Sequence, residues 1–259
     1  NNAINVVPKK CDITLEIDNS QINMSDVINL IEEKIKEFDF NINYFINNNS
    51  ITLHSTGVQA HSAHPELGKN AISPMLILLN KIFTHFGCNI KLFEFFEKYI
   101  GTEFNGKSLG INFEDESGKL TLNVGNFKFY ENYLQIGINL RIPINTSIDT
   151  VTTLLSSECE KYSIDTYVAG KQNSLYVPKD NYLVKTLCDI FNKMTGSNDE
   201  PIAIGGGTYA RAFENCISFG SNFPGDTDMC HQANEFIDID KLVLSCKIYA
   251  EAIYELAKL

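Results

Sequence analysis

The chain has 259 residues, of which 44% are hydrophobic and 20% charged, an ordinary balance for a globular protein with a buried core. Thirty-two acidic residues against 21 basic ones give a formal charge of −11 without any Lys/Arg cluster, which argues against nucleic acid or anionic membrane as a partner. No apolar run approaches the roughly 20 residues of a membrane span, and the first residues lack the form of a signal peptide. Seven cysteines without repeated spacing are typical of free thiols in a reducing compartment. We therefore expect a cytoplasmic protein with two domains.

The N-terminal part of the chain predicts a strand, a helix and two more strands. Residues 11–17 alternate apolar and polar side chains, which is the pattern of a half-buried strand. Ser25 is the predicted N-cap of the amphipathic helix DVINLIEEKIKEF. The strand-like runs FNINYFI and SITLHSTG follow, with a turn of three asparagines between them.

The same β-α-β-β order is predicted again farther along the chain. YLQIGINLRIP alternates like a strand, SIDTVTTLLSSECEKY is a helix with Ser147 as its predicted N-cap, and IDTYVA and NSLYVP are two predicted strands. Two strongly apolar helices, NAISPMLILLNKIFTHF and NIKLFEFFEKYIG, lie between the units and would cover the sheets. We expect one α+β domain over residues 1–178, built from duplicated halves of about 1–100 and 101–178.

The chain changes character after Pro178. DNYLVKTLCDIFNKMTG is an amphipathic helix that Gly196 ends, PIAI and CISFG are predicted short strands, and a last helix runs from about Asp240 to Leu256. Two helices and two strands within residues 179–259 cannot bury their own apolar faces, which indicates half of an α/β domain. We expect this half to expose a sheet edge and apolar surface.

Two side chains of the first domain are candidate site residues. His61 lies in the loop STGVQAHSAHPELGKNAI, where an imidazole could donate a hydrogen bond to developing negative charge. A histidine satisfied within its loop is the alternative, and the pair His61 and His64 is too small for a metal site. Arg141 interrupts the apolar strand INLRIP and could clamp a carboxylate, with an outward-facing surface charge as the alternative.

Two further candidates lie in the C-terminal part. The three glycines of IGGGTYAR would let backbone N–H groups approach an anion, although a tight turn explains them equally well. In FPGDTDMCHQANEFIDIDKL, His231 follows Asp226 and Asp228 and could bind a metal, with a solvent-facing loop histidine as the alternative. The adjacent carboxylates Glu32 and Glu33 lie in mid-helix and are interpreted as solvated.

Five motifs give these candidates a common context. In chain order they are AINVVP, GVQAHSAHPELGKNAI, NLRIP, GGGTYARAF and FPGDTDMCHQANEFIDIDKL. Together they resemble the PepV-type bacterial Xaa-His dipeptidases of the aminoacylase/carnosinase superfamily of dinuclear zinc peptidases, over the whole chain. The resemblance implies a cytoplasmic, monomeric zinc dipeptidase whose α/β catalytic domain carries a lid of two related halves. Residues 1–178 would be the lid, and residues 179–259 the C-terminal part of the catalytic domain.

The resemblance also implies a role for each candidate residue. His61 would be the catalytic lid histidine that stabilises the tetrahedral intermediate, and His231 would be the final zinc ligand. The substrate, a short peptide, would be bound through its C-terminal carboxylate by Arg141. The substrate-binding residues would be Asn5, Arg141, Gly207 and Thr208.

The H-x-D motif, the bridging aspartate, the catalytic Glu-Glu pair and the remaining aspartate ligand of that family have no counterpart in this sequence. The chain is therefore expected to be a C-terminal piece that lacks the N-terminal catalytic half, binds neither of the two zinc ions and is inactive alone. One alternative is a non-catalytic protein that binds peptides or a partner. Within the superfamily, the alternatives are an aminoacylase, a carnosinase-like enzyme or a succinyl-diaminopimelate desuccinylase.

Overall fold

The structure is a computed structural model, and it describes residues 3–220, 222–227, 229 and 234–258. It mixes helices with small antiparallel sheets, which is consistent with the predicted α+β class. The contacts divide the chain into two compact units, residues 1–173 and residues 174–259. The sequence had placed this boundary at residue 178.

The first unit begins with the predicted β-α-β-β order. The three strands pair antiparallel in the order β1-β3-β2, and their inward residues, such as Ile51 and Leu53, are fully buried. The helix is capped by Asn23, whose side chain accepts a hydrogen bond from the backbone N–H of Ser25, so the prediction of Ser25 as the cap is wrong. The elements are β1 (Lys10–Glu16), α1 (Met24–Phe38), β2 (Ile42–Asn47) and β3 (Ser50–Thr56).

The two predicted apolar helices both form, and they lie in the first unit. They are α2 (Ile72–His85) and α3 (Lys91–Tyr99). Nine residues of α2 are buried, because it packs on α1, on α3, on β1 and β3 before it and on the strand Thr121–Phe129 after it. This helix therefore joins the N-terminal sheet to the second half of the unit.

The second half has four strands followed by one helix instead of the predicted β-α-β-β order. Its last strand pairs with the strand immediately before it, which the sequence analysis did not predict. The runs at 164–169 and 173–178 are not strands, so that prediction is wrong: no described segment pairs with them, and Tyr167 is 72% exposed. The elements are β4 (Glu114–Asp115), β5 (Gly118–Lys119), β6 (Thr121–Phe129), β7 (Leu134–Arg141) and α4 (Ile148–Glu160), capped by Ser147 as predicted.

The second unit is organised around two predicted helices, α5 (Tyr182–Thr195) and α6 (Ile239–Leu256). Their small shared core consists of Leu187, Ile190, Ile248 and Ala252. The runs PIAI and CISFG are not strands, since neither finds a pairing segment among the described residues. The predicted sheet edge is therefore wrong for the described part of this unit.

The predicted apolar surface of the second unit is confirmed. The exposed apolar side chains come from the start of the unit, from both sides of the glycine run, from the segment before α6 and from both ends of α6. The most exposed are Ile202, Tyr209, Phe236, Ile239 and Ile253. Among the residues that the structure describes, no helix has both the length and the apolar composition needed to cross a membrane.

The cysteines differ in their expected reactivity. Burial raises the pKa of the Cys11 thiol to about 12 and the pKa of the Cys159 thiol to about 11, with nearby carboxylates adding to both shifts. Cys88 and Cys246 are exposed. Because the thiolate is the nucleophile, we expect iodoacetamide at mildly alkaline pH to alkylate Cys88 and Cys246 at least roughly tenfold faster than Cys11 and Cys159.

Alkylation rates for each cysteine can be read by peptide mass spectrometry of the native chain, with the urea-unfolded chain as the control. All sites should react at similar rates after unfolding, because the burial that raises the two pKa values is then lost. Equal rates for Cys11 and Cys88 in the native chain would contradict this expectation.

Candidate functional site

Ser62 connects three of the segments that carry the predicted lid residues. It lies in the loop between β3 and α2 and is completely buried. Its backbone N–H donates to the carbonyl oxygen of Asn5 at 3.0 Å, and its own carbonyl accepts from Thr121 Oγ1 at 3.0 Å. Its Oγ accepts a hydrogen bond from Arg141 Nη2 at 3.2 Å. Asn5 and Arg141 thus both bind the residue that follows His61.

His61 is held by a hydrogen bond within its own loop and by the segment that contains Asn5. It forms an isolated antiparallel bridge with Val6, and the N–H of Val7 donates to the carbonyl of Ala60 at 2.9 Å. The backbone N–H of Ala63 donates to His61 Nδ1 at 3.2 Å. An Nδ1 that accepts a hydrogen bond carries no proton, so in the neutral ring Nε2 is the N–H donor.

The strand pair β6–β7 presents a polar face to this loop. Thr121 is paired with Arg141, and Asn123 is paired with Asn139, so these four residues share one face of the hairpin. Neighbouring positions such as Leu122 are buried in the core instead. The hairpin therefore separates an apolar side, which stabilises the fold, from a polar side, which binds the His61 loop and the N-terminal segment.

Asn123 ties the N-terminal segment to the hairpin. Its side chain is buried, and its Nδ2 donates to the carbonyls of Ile4 at 3.1 Å and Val6 at 3.0 Å. The side chain of Asn70 donates to the carbonyl of Val124 at 2.7 Å, which joins the start of α2 to the same strand. The two hydrogen bonds from Asn123 satisfy backbone carbonyls on both sides of Asn5.

Gly125 lets the N-terminal segment approach this closely. A Cβ atom at this position would lie 2.4 Å from the carbonyl oxygen of Ile4, far inside van der Waals contact. The contact is with backbone, which cannot rotate away. Only glycine therefore fits between β6 and the segment that carries Asn5.

His64 does not complete a metal site with His61 in the described part of the chain. Its Nδ1 lies 3.3 Å from a carboxylate oxygen of Glu66, and both side chains are largely exposed. No group of three or more His, Cys, Asp or Glu side chains within the described ranges could hold a metal ion. These residues alone do not fit the dinuclear zinc centre that the resemblance implies.

Gly207 and Thr208 lie in the second unit, just before a short 3-10 turn at Tyr209–Ala212. A Cβ atom on Gly207 would lie 2.7 Å from the Arg211 guanidinium, so the glycine leaves room for that side chain. The backbone carbonyl of Thr208 accepts from the N–H of Arg211 at 3.4 Å. Their predicted part in a substrate subsite remains a prediction.

His231, the predicted zinc ligand, lies outside the described residues, as does Asp228. The neighbouring Asp226 carboxylate forms an ion pair with Lys241 and accepts the backbone N–H of Phe223 at 2.9 Å. These two contacts, the lysine first, hold the pKa of Asp226 below its usual value. In the described part of this segment, Asp226 thus stabilises the loop ahead of α6.

Ser62, Asn123 and Gly125 were not among the residues predicted from the sequence. A signal was present for the last two, because the run TLNVGNFKF places an asparagine and a glycine inside an apolar segment. A buried asparagine needs hydrogen-bond partners, and a glycine within a strand often marks a close backbone approach. The sequence offered no comparable signal for Ser62.

Comparison with known proteins identifies the family. Residues 11–255 match the family described as peptidase family M20/M25/M40. The chain is 32% identical over 98% of its length to "Putative dipeptidase YtjP" of Bacillus subtilis (strain 168), covering 54% of that protein. It is 31% identical over 99% of its length to "Beta-Ala-Xaa dipeptidase" of Lactobacillus delbrueckii subsp. lactis, again covering 54%.

A third relative is "Putative dipeptidase" of Staphylococcus epidermidis (strain ATCC 12228 / FDA PCI 1200), with 32% identity over 90% of the chain and 50% of that protein. The chain thus spans about half the length of the curated relatives it matches. Because the family match extends over nearly all of its residues, the chain belongs to peptidase family M20/M25/M40.

Proposed function

We propose that this chain works within a metal-dependent dipeptidase that hydrolyses short peptides with a free C-terminal carboxylate. Residues 1–178 would act as the lid that binds the peptide, and residues 179–259 as the C-terminal part of the catalytic domain. Family membership and the dipeptidase names of its relatives support the reaction class. The arrangement of Asn5, His61 and Arg141 around Ser62 supports the substrate-side roles.

Arg141 is proposed to bind the carboxylate of the substrate. Its guanidinium carries a permanent positive charge and a planar fork of N–H donors, which matches the geometry of a carboxylate. It ends β7, on the polar face of the hairpin, where a buried serine holds it. Recognition of the C-terminus by a charge-assisted pair would favour free dipeptides over blocked ones.

His61 is proposed to stabilise the oxyanion that forms when the peptide carbonyl is attacked. With Nδ1 engaged by the N–H of Ala63, the neutral imidazole offers Nε2–H as the donor. Asn5 lies next to it on the paired segment, and its side chain is proposed to contact the peptide. The two residues lie on segments that are hydrogen-bonded to each other, which would keep their spacing constant.

The described residues do not supply the metal site, so this chain is assigned only these substrate-side roles together with His231 as a proposed ligand. The remaining ligands that hold the two zinc ions, and the general base, would come from residues outside this chain. The half-length coverage of the relatives supports this division. A cytoplasmic, monomeric full-length enzyme remains a prediction.

Replacing Arg141 by methionine tests the proposal in the complete gene product. We expect kcat/KM for a free dipeptide to fall roughly ten- to a hundredfold, because a charge-assisted hydrogen bond contributes about 1.5–3 kcal/mol. The rate for the same dipeptide with an amidated C-terminus should change little. Steady-state hydrolysis of both substrates, with zinc present, measures the two effects.

Lys128→Met is the matched control, because it removes an exposed positive charge from the neighbouring strand of the same hairpin. It should leave both rates within about twofold. A further arm assays this chain alone with added zinc, where no turnover is expected. Turnover by the isolated chain, or a preference of the complete protein for N-acyl amino acids over dipeptides, would overturn the proposal.

A further inference from the structure

We propose that Ser62 is a positioning residue that sets the orientation of the Arg141 guanidinium and so determines the preference for a free C-terminal carboxylate. The inference rests on the proposed function of Arg141. It extends that function to a residue that does not itself contact the substrate. The geometry that supports it is the contact between Ser62 Oγ and Arg141 Nη2, 3.2 Å apart.

Ser62 is a rigid reference point because its backbone is bound on both sides. Its N–H donates to the carbonyl of Asn5, and its carbonyl accepts from Thr121 Oγ1. The residue is completely buried. The hydroxyl therefore has little freedom to move with the arginine, and the guanidinium must come to it.

An arginine side chain has many rotamers, and ordering them costs free energy each time a substrate binds. A hydrogen bond from Nη2 to a fixed acceptor restricts the plane of the guanidinium before binding. The group is planar, so restricting one edge also sets the direction of its remaining donors. A carboxylate would then meet a fork that is already oriented.

The same residue links Arg141 to the catalytic candidate. His61 precedes Ser62, and the N–H of Ser62 is bound by the segment that carries Asn5. The distance between the carboxylate clamp and the oxyanion donor is thus set through one buried serine. A fixed distance between the two groups would select peptides by length, because a dipeptide has a fixed separation between its scissile carbonyl and its carboxylate.

Ser62→Ala in the complete gene product tests this role. We expect kcat/KM for the free dipeptide to fall roughly tenfold, mainly through KM, while the value for the amidated dipeptide changes less than about twofold. The preference for acid over amide should therefore fall roughly tenfold as well. Ser62→Cys, whose thiol is a weaker acceptor of similar size, should give an intermediate loss.

Ser55→Ala is the matched control. Ser55 is also a buried serine of the first unit, and its Oγ accepts or donates no hydrogen bond among the described residues. Its replacement should leave the acid-to-amide preference unchanged. Circular dichroism of each variant establishes that it is folded, and Ser62→Cys serves as the second variant if Ser62→Ala does not fold.

A double variant separates this inference from the proposed function. In an Arg141→Met background, Ser62→Ala should cause no further loss of preference, because the group it positions is gone. If Arg141→Met alone leaves the preference unchanged, the proposed role of Arg141 fails and this inference fails with it. If Arg141→Met removes the preference but Ser62→Ala does not, or lowers the acid and amide rates equally, the positioning role of Ser62 alone is overturned.

Discussion

Replacing His61 by alanine in the complete gene product should lower kcat for dipeptide hydrolysis by about two to three orders of magnitude, with a much smaller change in KM. This is the size of effect expected when one donor to a developing oxyanion is removed. The ground-state carbonyl carries little charge, so the proposed hydrogen bond from Nε2–H would strengthen mainly in the transition state. Steady-state kinetics with a free dipeptide measures the effect.

His64→Ala is the control for this prediction. It removes a second imidazole three residues away, but its ring is largely exposed and lies beside Glu66. We expect kcat to stay within about threefold of the unsubstituted protein. A His61→Ala variant that raises KM and leaves kcat unchanged would show that the ring acts only in binding.

The second large effect concerns stability. Phe93 of α3 is completely buried, with its ring centroid 6.0 Å from that of Phe83 and 6.0 Å from that of Phe127 on β6. Phe93→Ala would remove the ring contacts with Phe83 and Phe127 and leave a cavity in the core. We expect the free energy of unfolding to fall by about 3–5 kcal/mol, as for other buried phenylalanines.

Urea unfolding followed by far-UV circular dichroism measures this change, and hydrogen exchange of peptides from α2 and α3 assigns it to the first unit. Phe45→Ala is the matched control, because that side chain lies on β2 and is 66% exposed. It should cost less than about 1 kcal/mol. Equal shifts of the urea midpoint for the two variants would contradict the assignment of Phe93 to the core.

The helices were predictable because their signals are local. Apolar side chains recur at helical spacing in α1, α5 and α6, and the left-handed Gly196 ends α5 where the sequence placed it. The cap of α1 was missed by two positions, since Asn23 and Ser25 are both good caps and only the backbone geometry selects between them.

The strands were predictable only where a partner existed nearby. The alternating segments at 164–169 and 173–178 have the composition of strands but no pairing segment in the described part of the chain, whereas β6 was missed because polar and glycine positions interrupt its pattern. A strand forms when another segment satisfies its backbone groups. That partner cannot be read from the alternation of a single segment.

Residue types along the chain were enough to propose His61 and Arg141 as site residues, and the ordered motifs were enough to propose the family. The sequence could not predict that Arg141 contacts Ser62, which is 79 positions away, or that Asn123 contacts Val6, which is 117 positions away. Such contacts depend on how the hairpin docks on the N-terminal segment, which Gly125 permits. Hydrogen bonds of this kind act over about 3 Å and join groups far apart in sequence, so they exist only once packing has brought the segments together.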